Sequence, residues 1–486
     1  NKTLSILALT ISLISPHNIW ALCSDASYEE IMEWDIINII FPEYVMQDSE
    51  NFDYLIDDNE SIEFQNFYNP YIPYFKISPN YGNIDEWAKY LGINQDQAYY
   101  LVNKSSKKEI DSLLVFGNCR NKKLEFANSK FCKKKKNALK YISYAKFLEP
   151  YMARESGQDM KQWQEYEFWY YWDYRYYPRK KTVHDLDYET IINNLIEAYK
   201  AQKDKELKLR YGYQLVRLAH YKHHYEDAVR YFDTYVEPLK IKPEIYYYAL
   251  SQKAGALNGL NKTLKKNPAE EGNCQVAMDF LRVFSKSKDL KYSAYLSLRF
   301  SENGKALENL YNQSKSLNNE DACSLYFLLG HDKFNNPLNE LEKIENLDPN
   351  STLADVLMAR YISSLERHYY GFSDKLGDLE IDNPNLDQAL KIAESMRLKS
   401  SHKDLWNLCA AHLNAYSQNY PKAKEYLSLV KCQRPVYQAH IKLLSCYIDI
   451  LEPDSFDITT ANVIFKKHQK TLSDYEYLRS VVAKRM

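Results

Sequence analysis

Apolar side chains recur along most of this chain at intervals of three and four residues, which places them on one stripe of an α-helix. The clearest stretch is Lys208–Lys240, KLRYGYQLVRLAHYKHHYEDAVRYFDTYVEPLK. Tyr211, Leu215 and Leu218 form one stripe, with Tyr221 at its end. Tyr225, Ala228, Tyr231, Phe232 and Tyr235 form a second. The polar residues between the stripes predict two short antiparallel helices joined by a tight turn. Ala228, midway along its stripe, is small enough to let a neighbouring helix approach closely.

The same periodicity predicts helices on both sides of this hairpin. Asn83 and Asp85 are N-cap candidates for a helix that holds Trp87 and Tyr90 and ends at Gly92. Further helices are expected near Gln95–Val102, Lys107–Leu114 and Tyr141–Met152. After Pro178, Asp185–Lys203 is amphipathic through Ile191, Leu195 and Tyr199. Glu244–Leu257, Cys274–Phe284, Ser293–Phe300, Lys305–Tyr311, Ala322–Leu329 and Leu338–Leu347 continue the pattern. Leu347–Ser351, LDPNS, stops one helix and offers Asn350 or Ser351 as a cap for the next.

A second copy of the hairpin lies at Trp406–Leu427, WNLCAAHLNAYSQNYPKAKEYL. Shifted back by 195 residues, Trp406 falls on Tyr211, Leu413 on Leu218 and Tyr416 on Tyr221. Tyr420 then falls on Tyr225, Ala423 on Ala228 and Leu427 on Phe232, across the same short turn. Two copies that share this turn point to a repeat architecture. Helix starts recur at roughly 30 to 50 residues, a spacing that suits divergent helix pairs. The pattern Y-K-x-x-Y-x-x-A-x-x-Y-F resembles the tetratricopeptide repeat, with a turn one residue shorter than that family's usual spacing. The resemblance implies an interaction scaffold. The expected fold is therefore mainly α, a right-handed array of antiparallel helix pairs forming a tetratricopeptide-like solenoid, with an irregular, helical N-terminal region.

Composition narrows the function classes. The chain has 12 glycines among 486 residues, where average usage gives about 34. Turn-rich β folds and glycine-loop nucleotide sites are disfavoured. Tyrosine is abundant, at 44 residues, and suits half-buried and binding faces. A net charge of −2 gives no general attraction to nucleic acid. Lys2 precedes the apolar run LSILALTISLIS, expected to be a signal peptide cleaved near Ala21. That run is too short to span a membrane, and no later segment is expected to span one. Cys23 is a candidate for lipidation, although Leu22 before it is not the small residue such sites use. Of eight cysteines, Cys119 and Cys132 are candidate partners in a disulfide, a pairing that export permits. Cys409, Cys432 and Cys446 fall on helices, where thiols pack as small hydrophobes.

Charge and aromatic residues are unevenly placed. From Leu22 to Phe75 there is no Lys or Arg, and acidic residues alternate with rings such as Trp34, Phe41 and Tyr44. Asp57, Asp58 and Glu60 are conceivable calcium ligands, but the EF-hand pattern is missing. Arg120–Lys140 reverses the sign, as either a patch for an anionic partner or compensation for the acidic block. Near-cancellation of the two blocks favours compensation. Gln162–Lys181 carries Trp163, Trp169, Tyr170, Trp172, Tyr174, Arg175 and Tyr177, the tentative partner-binding residues. Such platforms stack on peptides or glycans, and equally pin one domain onto another. The expected organisation is a signal peptide over 1–21, an acidic and aromatic helical region over 22–160, an aromatic junction over 161–184 and a helical-repeat domain over 185–486.

His220, His223 and His224 have a spacing that can hold a metal, but the turn they occupy calls for polar residues anyway. No G-x-S-x-G, H-E-x-x-H, P-loop or G-x-G-x-x-G sequence occurs, so neither catalysis nor a cofactor is expected. Signal peptide, cysteine, acidic aromatic block, N-I-D-E-W-x-x-Y (Asn83–Tyr90) and R-Y-x-Y-Q-L-x-R-L-A (Arg210–Ala219) together resemble a set of uncharacterised exported helical-repeat proteins of Bacteroidota. That likeness implies export and helical repeats, and no activity. The expected function is an exported scaffold, in the periplasm or at the cell surface, engaging a peptide or protein at the cell envelope. The alternative is a glycan-binding or glycan-processing protein that uses residues 162–181.

Overall fold

The computed structural model describes residues 81–152, 187–264, 271–300, 310–311, 316–331, 337–370, 384–474 and 482. The expected signal peptide, the acidic block and the aromatic junction lie outside the described residues. All regular structure among the described residues is helical, with no strand. The chain divides into two compact units, Lys76–Leu325 and Tyr326–Met486.

The first unit begins with short helices whose ends are set by local chemistry. Helix α1 (Tyr81–Leu91) stops at Gly92, whose φ of 71° is left-handed. Asn94 opens α2 (Gln95–Tyr99) through a capping box with Gln97, and a π-turn, Tyr100–Lys104, follows. Ser106 and Glu109 make a second capping box for α3 (Lys107–Phe116). That helix ends at Gly117, where a left-handed φ of 68° disfavours a side chain and a Cβ would meet the Ser129 hydroxyl oxygen at 2.8 Å. Helices α4 (Ser129–Lys134) and α5 (Lys136–Leu148) complete this group.

The remaining helices of this unit follow in order. They are α6 (Tyr188–Ala201), α7 (Lys205–Tyr221), α8 (Tyr225–Tyr231), α9 (Glu244–Thr263), α10 (Glu271–Lys286) and α11 (Lys291–Phe300). Each packs chiefly on its neighbours in sequence: α6 on α7, α7 on α8 and α9, α9 on α10, α10 on α11. The N-terminal helices break this order by folding back, α5 onto α7 and α1 onto α9. The division between units falls inside α12 (Asn319–Gly330).

The second unit repeats the neighbour-by-neighbour pattern. It contains α13 (Leu338–Leu347), α14 (Thr352–Tyr370), α15 (Pro384–Lys399), α16 (Lys403–Tyr416), α17 (Tyr420–Leu429), α18 (Pro435–Leu451), α19 (Ile458–Lys467) and α20 (Gln469–Asp474). Its strongest contacts run from α15 to α16 and from α16 to α17.

The α7–α8 and α16–α17 hairpins have the same turn. His223 and Gln418, which correspond under the 195-residue shift, both have left-handed backbones, with φ of 61° and 57°. His224 N–H donates to the Ala219 carbonyl at 2.9 Å, and Asn419 N–H donates to the Asn414 carbonyl at 2.8 Å. One residue earlier, His223 donates to His220 and Gln418 donates to Ala415. This six-residue closure with a left-handed residue before its last member is the Schellman arrangement. Packing matches as well. Ala228 and Ala423 are fully buried, as are Leu215, Leu218, Leu413 and Trp406. Tyr211, Phe232, Tyr416 and Leu427 are buried, while Tyr225 and Tyr420 are half-buried. Tyr221 is half-buried where its counterpart Tyr416 is buried.

Candidate functional site

Helix α1 is held by a buried polar node. Asp289 accepts the N–H groups of Gly82 (2.7 Å) and Asn83 (2.8 Å), capping α1 from another part of the unit. Asn83, expected as a cap, instead accepts from the Arg210 guanidinium at 2.9 Å. Glu86, one turn on, pairs with Arg210 at 3.2 Å, and the guanidinium lies 4.0 Å over the Trp87 ring. Three carboxylates close a ring through backbone N–H groups. Glu86 accepts from Glu244 at the start of α9. Glu244 accepts from Lys288 and Asp289, and from the Ser287 hydroxyl. Asp289 returns the ring to α1.

Arg210 is the cation at this node and is 2% exposed. Burial pushes the Glu86 and Glu244 carboxyls above their ordinary range and lowers the Arg210 guanidinium. Contacts with Arg210 and with backbone donors act against the rise in Glu86. Gln214, one turn after Arg210, donates to the Tyr141 hydroxyl at 2.9 Å, and the Tyr141 and Tyr211 rings meet edge to face. Asn83–Tyr90 and Arg210–Ala219, singled out separately in the sequence, therefore form one contact. Its chemistry is that of a lock between helices: every charged group faces another protein group.

The second unit has buried polar groups of its own. His412 and His440 approach with their Nε2 atoms 2.9 Å apart. Burial lowers both, His440 to about 4, and at His412 the facing His440 ring acts in the same direction. Asp355 accepts from His402 Nδ1 at 2.6 Å, a bond that raises the His402 imidazole. Asp449 meets Lys467 at 2.5 Å, His468 at 2.8 Å and Lys424 at 2.9 Å. Burial favours its neutral form, but these three donors outweigh it and hold the carboxyl at about 2. These pairs join α14 to the turn before α16, α16 to α18, and α18 to α17 and the end of α19. No motif in the sequence announced them.

The histidines at the first hairpin do not converge. His220 meets Gln252 at 2.7 Å, His223 meets the Tyr225 hydroxyl at 2.7 Å, and His224 stacks on Tyr188 with ring centroids 4.0 Å apart. Among the described residues no group of three or more His, Cys, Asp or Glu is placed to hold a metal. The candidate disulfide between Cys119 and Cys132 is not formed: both are free thiols. Cys132 is buried and directs Sγ to the Ala127 carbonyl at 3.3 Å, while Cys119 sits half-buried beyond the end of α3. Cys409 and Cys446 are buried on helices as expected, whereas Cys432 is half-buried in the link between α17 and α18, where Pro435 starts the next helix.

The basic segment forms an outer face. Arg120, Lys122, Lys123, Lys130, Lys133, Lys134, Lys136 and Lys140 are all exposed. Leu124, Ala127, Cys132, Ala138 and Leu139 of the same segment are buried. Lys135 turns inward, donating to the Tyr90 carbonyl and lying over the Tyr90 ring. Trp163, Trp169, Tyr170, Trp172, Tyr174, Arg175 and Tyr177 lie outside the described residues, as do Cys23, Asp57, Asp58 and Glu60. Among the described residues no helix is long and apolar enough to cross a membrane. Comparison with protein-family models, curated proteins and solved structures found no match.

Proposed function

We propose that this chain is an exported scaffold that engages a peptide or protein partner at the cell envelope. Its helices would be organised, within each unit, as tetratricopeptide-like antiparallel pairs. The observation that carries this reading is the pair of hairpins with one shared turn, at His223 and Gln418. A unit reused in this way builds surface by stacking neighbours, and such surfaces are used for binding. The neighbour-by-neighbour helix contacts support the same reading. Export rests on the apolar run after Lys2, and on the likeness to exported helical-repeat proteins of Bacteroidota. Tyr-rich and Trp-rich residues 162–181 are the proposed contact segment, with a glycan as the alternative ligand.

Affinity capture from envelope extract tests this. The immobilised chain should retain a protein saturably, with retention reduced by replacing Trp169 and Trp172 with Ala. Glycan-array binding lost in the same double variant, with no protein retained by either form, would transfer the segment to glycan recognition.

A further inference from the structure

We propose that the outer face of the α3–α5 region is a docking surface for an anionic lipid bilayer. The sequence favours compensation of these cations by the acidic block that ends at Phe75, which lies outside the described residues; among the described residues the charge of this face is one-sided. Between Gly117 and Lys140, eight exposed Lys and Arg side chains stand against one exposed carboxylate, Glu125. No carboxylate among the described residues forms an ion pair with any of the eight. The nearby Glu109 is already occupied, accepting from Asn121 at 2.6 Å and from the Ser106 backbone at 2.7 Å. On α4 the buried residue is Cys132, and Lys130, Lys133 and Lys134 project away from it. Lys136 and Lys140 lie one turn apart on α5 and are exposed as well.

A second observation selects a bilayer over a nucleic acid. Val115 and Phe116, at the end of α3, are 73% and 71% exposed, the two most exposed large apolar side chains among the described residues. They adjoin the basic face, because Gly117 is packed against Ser129, whose hydroxyl donates to the Gly117 carbonyl at 3.2 Å. Ser129 begins the helix that carries Lys130. Apolar side chains bordered by cations match the interfacial zone of a bilayer, where rings enter the acyl boundary and ammonium groups meet headgroup phosphates. A phosphodiester strand would use the cations and leave Val115 and Phe116 in water.

The test uses the purified chain and sedimentation with two kinds of vesicle, phosphatidylcholine alone and phosphatidylcholine with about one-third phosphatidylglycerol. Binding is expected only to the anionic vesicles and should weaken at high salt, where screening is strong. Lys130→Gln, Lys133→Gln and Lys134→Gln together should lower the partition coefficient about a hundredfold. Val115→Ser with Phe116→Ser should lower it about tenfold. Helical circular dichroism and melting temperature should stay unchanged in both variants, since all five side chains are on the surface. Equal binding to neutral vesicles, or anionic binding that survives either variant, would overturn the proposal. So would duplex DNA binding as tight as vesicle binding and indifferent to the loss of Val115 and Phe116.

Discussion

His223 and Gln418 show how a single residue marks a turn that two hairpins share. A left-handed backbone costs a side chain with a Cβ about 1 kcal/mol, which is why glycine commonly fills this position after a helix. Gln418 is exposed on the turn. Gln418→Gly should therefore raise stability by about 0.5–1 kcal/mol in chemical denaturation; a decrease would mean that the backbone is not left-handed there. At the buried His412–His440 pair the folded state favours neutral rings, while the unfolded chain protonates histidine near pH 6.5. Stability from this pair is complete above about pH 6.5 and is lost as pH falls toward the His440 value of about 4. Substituting both histidines with Leu should flatten stability across that interval. The His402–Asp355 bond works in the opposite sense, its contribution present below pH 6.5 and lost as pH rises through the elevated His402 value. The histidine double variant should leave that second dependence intact.

At the scale of the element, local chemistry made most helices readable. Leu338–Leu347 has the boundaries its periodicity predicts, and Gly92 ends α1 as expected. The start of α1 was not readable, because its cap is Asp289, 206 residues from Asn83 along the chain. No spacing rule connects them. The π-turns that follow α2 (Tyr100–Lys104) and α8 (Phe232–Val236) were equally hidden, since no spacing of apolar residues marks them. The candidate Cys119–Cys132 bridge is not formed for a related reason: Cys132 lies on the inward side of α4, which sequence separation does not reveal. Ala228 and Ala423 were chosen as small residues at close helix contacts, and both are fully buried. Ala228→Leu or Ala423→Leu should overpack its contact and destabilise the protein by about 1–3 kcal/mol. Replacing Arg210 with Ala should cost about 3 kcal/mol, by stripping Glu86 of its cation and baring the face of Trp87. Chemical denaturation measures that loss, and an unchanged midpoint would count against the lock.

For the whole molecule, the mainly helical class could be read from periodicity, and the likeness of the two hairpins from a 195-residue self-comparison. The return of the N-terminal helices onto α7 and α9 could not, although both halves of that contact were visible as separate motifs. A chain of two compact units should unfold in more than one calorimetric step. Arg210→Ala should lower the transition of the Lys76–Leu325 unit alone. Asp449→Asn should lower the other at neutral pH by about 2 kcal/mol, given a carboxyl held near 2 against about 3.9 unfolded. That loss should vanish as the pH approaches 2, where the wild-type carboxylate is itself protonated. A single transition shifted by both variants would contradict the two-unit description.

The most direct test of the scaffold reading is cross-linking in intact cells followed by mass spectrometry of whatever the chain carries with it. The account predicts a defined envelope protein or peptide, joined in part through residues 162–181 and released when Trp169 and Trp172 are replaced with Ala. Recovery of the chain alone from the cytosolic fraction, with no cross-linked species, would contradict it.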